Sequence, residues 1–225
     1  MDEQQIQFYA IDIDGLPAPY PAAKAVPEWY KRMPSEVARE GGEPHRTIKQ
    51  CSPFLDAMTS GYIIPLSGDI DFSMDAAGEF RYDSPNNDAV IESHDKPQLF
   101  GTPMADSLVL KFLNPWMIVT PPGYSTLFVA PLNQMALPFA FLAGVVATDT
   151  FYNQVHFPAV CTMQRGTRFT LKRGTPLMQV MPFKRENWQS ELSVTDQPRV
   201  EEVRRRLIEN HHMYRDEHHQ KRTFK

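Results

Sequence analysis

Twenty prolines against eleven glycines in 225 residues limit what this chain can build. Proline fixes φ and has no backbone donor, so it belongs at strand ends and in turns rather than inside helices or central strands. Short runs of β-forming residues lie between the prolines. Residues 5–14 show partial alternation and 69–74 alternate with period two. Residues 79–82 pair back on them across an Ala77-Gly78 turn. Residues 108–113, 116–119, 125–130, 139–146, 155–162, 168–171 and 177–183 read as further strands. Strands this closely spaced, joined by Pro and Gly turns, predict a mainly β, jelly-roll-like barrel or sandwich and argue against a βαβ fold.

Helix signals are few. Ser52 is placed to cap a helix over 52–61, with Pro53 in its first turn and Gly61 as the left-handed residue that ends it. Residues 28–33 can make one turn behind Pro27, while 15–27 are too proline-dense for a ladder. The C-terminus differs in kind. Behind Asp196 as a cap, residues 198 to about 220 are predicted helical, with Val200, Val203 and Leu207 forming one apolar stripe. Glu201 with Arg205 and Glu202 with Arg206 are ordered i,i+4 pairs, worth about 0.3 kcal/mol each. The first half of this helix is expected to pack on the β body and the second to project. The expected division is a β-rich core over 1–190 and a helix with a polar tail over 191–225.

Composition excludes some roles. Hydrophobic residues make up 42% of the chain, enough for a buried core and too many for a disordered chain. A net charge of −4 gives no general attraction to nucleic acid, and only the basic C-terminal helix offers such a surface. The chain starts Met-Asp-Glu-Gln-Gln, unlike a secretory leader, and no apolar run approaches the roughly 20 residues of a membrane span. Cys51 and Cys161 stand far apart in apolar settings and read as buried free thiols. No phosphate-binding Gly loop, Ser-His-Asp order or Cys-x-x-Cys pair is present, and no pattern designates a cofactor.

Several side chains could carry chemistry. On a continuous helix His212, Asp216 and His219 share a face and could hold a divalent transition metal; a solvated terminal helix is the plainer reading. Asp12, Asp14, Asp69 and Asp71 form two Asp-x-Asp pairs. They would gather round a hard cation only if their strands were neighbours. His94 and Gln98 lie in a polar cluster with Glu92 and Asp95, which lines either a pocket or an ordinary loop. His156 sits in a strand, as a hydrogen-bonded core or rim histidine. Trp116 and Tyr124 adjoin prolines and suit core packing, a platform for a flat ligand, or an assembly interface.

Two resemblances follow from longer stretches. The pieces Pro21-Ala-Ala-Lys, Pro27-Glu-Trp-Tyr-Lys, Cys51-Ser-Pro-Phe-Leu-Asp-Ala-Met-Thr-Ser-Gly-Tyr-Ile-Ile-Pro, Asn114-Pro-Trp, Thr120-Pro-Pro-Gly-Tyr-Ser and Pro182-Phe-Lys-Arg-Glu-Asn-Trp resemble an uncharacterised family of large tailed phages and some bacteria. That resemblance implies a phage protein working in the cytoplasm of the infected host or associated with the virion, and it implies no chemistry. From Tyr124 to Phe183, an apolar strand into a Pro turn, a Gly144-Val-Val turn and Gly174-Thr-Pro-Leu-Met-Gln resemble the β-clip fold of dUTPases and dCTP deaminases. This second resemblance implies a pocket near 130–156, where Asn133, Gln134, Asp149, Tyr152 and His156 would meet a ligand. It also marks departures. Leu132 stands where those enzymes carry a phosphate-binding Arg, and Ala147 where they carry an Asp. Phe151-Tyr-Asn-Gln replaces the deaminase general acid/base Glu.

The expected function is therefore small-ligand binding on a dUTPase-like scaffold that lacks dUTPase catalytic groups. The alternatives are a virion-associated or protein-interaction component and a metal-assisted enzyme of unrecognised chemistry. The expected partner is a small molecule or a protein, and a homo-oligomer fits either.

Overall fold

The computed structural model describes residues 4–85, 90–93, 99–134 and 137–225. In chain order it contains β1 (Gln7–Tyr9), β2 (Tyr20–Pro21), α1 (Glu28–Arg32), β3 (Glu36–Val37), β4 (His45–Arg46), α2 (Ser52–Thr59), β5 (Tyr62–Pro65), β6 (Ile70–Met74), β7 (Phe80–Asp83) and β8 (Ile91–Ser93). There follow β9 (Val109–Phe112), β10 (Met117–Val119), β11 (Tyr124–Val129), β12 (Phe139–Phe141), β13 (Gly144–Val146), β14 (Phe157–Cys161), β15 (Thr167–Leu171), β16 (Pro176–Lys184) and α3 (Gln197–Glu209). The protein is mainly β with a C-terminal helix, as the proline spacing predicts.

Every strand pairing is antiparallel. A sheet in the order β13-β11-β16-β5-β2 packs with a second in the order β12-β14-β9-β8 and a third in the order β15-β6-β7. Side chains from all three enter one core, among them Ile64, Phe72, Phe112, Phe128, Phe139, Phe157 and Val180. Phe139 sits at its aromatic centre, 4.9 Å from the Phe72 ring and 5.3 Å edge-on to Phe112, at separations where ring quadrupoles attract.

The structure departs from the sequence reading in several places. Within 15–27, read as too proline-dense for a ladder, Tyr20 and Pro21 pair with β5 as an edge strand. Pro158 and Pro182 lie inside β14 and β16 rather than at strand ends. Residues 139–146 are two strands rather than one: β12 pairs with β14, and β13 pairs with β11 in another sheet. Helix α2 begins at Ser52 with Cys51 in the capping position and no side-chain cap, so Ser52 is not the cap. Gly61 does adopt the left-handed conformation, at φ 73°, and a Cβ there would meet the Val180 carbonyl oxygen at 2.1 Å. Helix α3 starts as expected, with the Asp196 side chain accepting from the Arg199 N–H, but it ends at Glu209 and buries none of its residues.

That early end has a tertiary cause. Asn210 turns the chain by accepting from the His212 N–H through its side chain. Met213 is then buried. Beyond a single wide turn over Tyr214–His218, the tail docks on the body. His219 Nε2 lies 2.7 Å from Asp56 Oδ2, the Phe224 ring meets Tyr62 edge-on, and the Tyr62 hydroxyl donates to the Lys225 carbonyl. No helix is long and apolar enough to cross a membrane among the described residues.

Candidate functional site

Asn114 organises one wall of the cleft that His156 lines. The ladder of β9 stops after Phe112, and Pro115 prevents its continuation. Asn114 is buried and takes over the hydrogen bonding. Its Nδ2 donates to the carbonyls of Trp116 (2.8 Å) and Val155 (3.1 Å), and its Oδ1 accepts from the Trp116 N–H at 2.9 Å. Its own N–H donates to His156 Nδ1 at 3.1 Å. Gln154 adds a bond from Nε2 to the Pro115 carbonyl at 3.0 Å. These bonds fix residues 154–156 against 113–116, and the two segments form one wall of a cleft of about 620 Å³. Asp14, Leu16, Ser67, Val90, Glu92 and Arg173 complete the lining, with Val90 next to this wall through its carbonyl, which accepts from the Leu113 N–H.

His156 is the group this arrangement prepares. Because Nδ1 accepts a hydrogen bond, the neutral ring carries its proton on Nε2. Burial pushes its pKa down, the nearby Lys111 ammonium adds to that, and Glu92 opposes it. The ring is therefore neutral near pH 7, and it lines the cleft as a fixed N–H donor. Glu92 and Lys111 face each other across the β8–β9 ladder and pair at 2.5 Å. Arg173 also lines the cleft and is exposed. Its backbone N–H donates to Asp69 Oδ1 at 2.7 Å, and its guanidinium makes no hydrogen bond among the described residues. The cleft thus offers an imidazole N–H, a guanidinium, the Ser67 hydroxyl and the Asp14 carboxylate over an apolar floor of Leu16, Val90 and Leu113.

The other predicted site residues scatter. Trp116 is buried, its indole N–H donating to the Pro17 carbonyl. Tyr124 lines a different cavity, of about 660 Å³, with Tyr62 and the tail residues Arg222 and Phe224. Asn133, at φ 59°, donates from Nδ2 to the Phe54 carbonyl, and Gln134 donates from Nε2 to the Ala25 carbonyl, so both amides brace their turn against α2 and the turn before α1. Tyr152 is exposed, its ring 6.0 Å from that of Tyr9. His94 and Gln98 lie outside the described residues.

Asp149 is occupied by its own chain. Arg185 grips both carboxylate oxygens, and the Gly123 N–H donates to Oδ2 at 2.8 Å. Arg185 beside it, with that N–H, holds the carboxyl down at a pKa of about 2. The clamp ties the turn after β13 to the end of β16, next to a buried hydroxyl chain in which Thr148 bonds both Thr120 and Thr126.

The proposed metal ligands do not converge. With α3 ending at Glu209, His212 and His219 share no helix face. Asp216 pairs with Arg215 and His219 with Asp56. The Asp-x-Asp pairs also stay apart: β1 pairs with β10, whereas β6 lies between β15 and β7. Asp69 receives Lys172 and Asp71 the Thr170 hydroxyl. No group of three or more His, Cys, Asp or Glu side chains is placed to hold a metal ion among the described residues.

Sequence reasoning missed Asn114, Gln154, Arg173 and the fully buried Gln179. The available signal for Asn114 was an Asn-Pro between two β runs, a setting in which the Asn side chain replaces ladder bonds. Gln179 joins three segments. Its Oε1 accepts from the Leu132 N–H, and its Nε2 donates to the carbonyls of Ala57 and Ser60.

No protein-family model matches this chain, and no curated protein does. Among solved structures it is similar to the native EIAV dUTPase, at a TM-score of 0.39 and 6% identity, over 86% of this chain and 98% of that one. It is also similar to the dUTPase of Staphylococcus bacteriophage 80alpha, at a TM-score of 0.42 and 7% identity, over 86% of this chain and 97% of that one. These are weak likenesses of fold, and the chemistry of the cleft rests on its own residues.

Proposed function

We propose that this chain is a phage-encoded small-ligand-binding protein whose ligand occupies the His156 cleft. The observation that carries the reading is a neutral imidazole fixed by a backbone N–H and presented to a cleft of about 620 Å³, within the usual range for small-molecule sites. Arg173 suits an anionic group on the ligand, His156 Nε2–H an acceptor, and the apolar floor an uncharged portion.

On this reading the chain binds its ligand without hydrolysing dUTP. At the turn that resembles the phosphate-binding turn of dUTPases, Leu132 supplies no cation and its N–H is bonded to Gln179. Asp149, in the turn after β13, is held by Arg185.

Native mass spectrometry of the purified full chain, before and after denaturation, tests the proposal. The expected result is a small molecule released on denaturation, lost from both His156→Ala and Arg173→Ala, with no diphosphate formed from dUTP. A protein that stays empty, with His156 ring resonances unmoved by a panel of small anions and nucleotides, overturns it.

A second reading, an interaction or virion-associated component, is supported by the exposed apolar residues between β16 and α3. Its test is the presence of the protein in purified particles.

A further inference from the structure

Two charges in the His156 cleft are left without an ion pair. Asp14 and Arg173 both line it, and neither makes a salt bridge among the described residues, with the other or with any third group. Arg173 stands in the turn before β16 beside Asp69, the acid that could take it. Asp69 is already served: Lys172 Nζ donates to Oδ2 at 2.9 Å and the Arg173 backbone N–H to Oδ1 at 2.7 Å. The guanidinium acts on Asp69 through space without bonding to it. Asp14 lies in a turn closed by the Leu16 N–H on the Ile13 carbonyl, and its own N–H donates to the Asp12 side chain at 2.9 Å. Its carboxylate accepts no hydrogen bond among the described residues.

Both charges sit on anchored segments. The Trp116 indole N–H, on the Pro17 carbonyl, ties the turn after Asp14 to the wall that Asn114 builds. The segments of Ser67 and Arg173 are joined by bonds from the Leu66 N–H to the Thr175 carbonyl and from the Gly174 N–H to the Leu66 carbonyl, both 2.9 Å. The third charged group of the lining, Glu92, is paired with Lys111 at 2.5 Å. The cleft therefore presents one open anion and one open cation, at separate points and already ordered, which lowers the cost of binding.

The rest of the lining narrows the class. It holds no aromatic ring among the described residues, so a nucleobase finds no face to stack on. Leu16, Val90 and Leu113 supply aliphatic surface instead. A simple anion would satisfy Arg173 and be repelled by Asp14; a simple amine would meet the reverse. A molecule that carries both charges satisfies both, and it leaves no charge of the cleft desolvated and unpaired.

We infer that the ligand of the His156 cleft is an aliphatic amino acid in its zwitterionic form, with its carboxylate on Arg173 and its ammonium on Asp14. The inference rests on the small-ligand reading of this cleft and adds the chemical class. The Ser67 hydroxyl and His156 Nε2–H are the neutral donors available to the carboxylate's remaining lone pairs.

Calorimetric titration of the full chain, with the His156 ring resonances followed in parallel, tests it with two matched sets of probes. One set is leucine, isocaproate and isoamylamine; the other is ε-aminocaproate, caproate and amylamine. In each set the first member carries both charges, the second lacks the ammonium and the third lacks the carboxylate. The two sets differ in the spacing of the charges. In at least one set the zwitterion is expected to bind about tenfold or more tighter than either analogue, since a charge-assisted hydrogen bond is worth at least that factor. Asp14→Asn is expected to abolish the preference over the carboxylate analogue, and Arg173→Gln the preference over the amine, both with wild-type circular dichroism. A carboxylate that binds as tightly as its zwitterion in both sets overturns the inference and leaves the small-ligand reading standing. A preference that survives both substitutions overturns it as well. Absence of heat and of ring shifts with every probe overturns the amino-acid class, while release of some other molecule on denaturation would still uphold the broader reading.

Discussion

Asp149 is kept ionised chiefly by Arg185, with the Gly123 N–H as a further donor, and its folded pKa of about 2 lies below the ordinary 3.8. The sign follows from proton counting: between these values the unfolded chain binds a proton that the folded chain refuses. The stabilisation is fully present above about pH 4 and is lost as pH falls toward 2. Thermal melts across this range should show the wild type losing stability more steeply than Asp149→Asn; parallel curves would remove the clamp from the account. Gln179 gives a second prediction. Replacing it with Leu strips partners from the Leu132 N–H and from the Ala57 and Ser60 carbonyls, each costing about 1–3 kcal/mol when buried and unpaired. Urea unfolding should register a loss of about 3 kcal/mol or more, with the slope unchanged. Gln179→Glu should be no better near neutral pH, because its carboxylate would face two carbonyl oxygens. The sequence displayed this Gln within a recognisable Gly-x-Pro-Leu-x-Gln run. Its role was illegible because all three partners are remote in the chain and all are backbone groups. Asn133 and Gln134 misled for the same reason: a polar turn residue looks equally available whether it faces a ligand or a carbonyl.

Elements whose limits are set locally were read well. Pro21 and Pro65 close β2 and β5, and Gly61 ends α2 because only glycine tolerates φ 73° against the Val180 carbonyl; Pro158 and Pro182, by contrast, lie inside β14 and β16, where the neighbouring strands set the pairing. Elements whose limits are set by docking were not. Residues 139–146 change sheets midway, a choice fixed by β11 and β14. The periodicity of α3 continues beyond Glu209, yet the buried Met213 and the His219–Asp56 contact draw the chain off the helix axis. With no residue of α3 buried, its stability rests on its Asp196 cap and on surface pairs such as Arg205–Glu209, and such a helix is marginal on its own. Its amides should exchange orders of magnitude faster than those of β11 and β16 in native-state hydrogen exchange. Leu207→Ala should change stability by no more than about 0.5 kcal/mol. Slow exchange across α3 would mean that the helix packs on a partner surface after all.

At the scale of the whole molecule, the predicted β architecture is present, while the order of strands was beyond the sequence. Nothing local tells β16 to lie between β11 and β5, or places β9 between β14 and β8. The His156 cleft inherits that limit. His156 was read into a strand over 155–162 but lies just before β14, which starts at Phe157, and its counterparts Glu92 and Arg173 come to the same cleft from β8 and from the turn before β16 only through the topology. The tail carries the same lesson and a measurable consequence. Residues 210–225 are polar and read as a projection, yet they bury Met213, place Phe224 on Tyr62 and pair His219 with Asp56. Burying Met213 and part of Phe224 contributes about 3 kcal/mol, taken from transfer values near 2 kcal/mol per side chain and reduced because unfolded chains are already partly collapsed. For a chain of this size that corresponds to a fall in Tm of roughly 10 °C. A chain ending at Glu209 should therefore melt about that much lower by calorimetry, while keeping the far-ultraviolet signature of the β body, since the tail contributes no strand to any sheet. An unchanged Tm would show that the tail's contacts add nothing to the fold. Loss of the cooperative transition would show instead that the β body depends on the tail for its own folding.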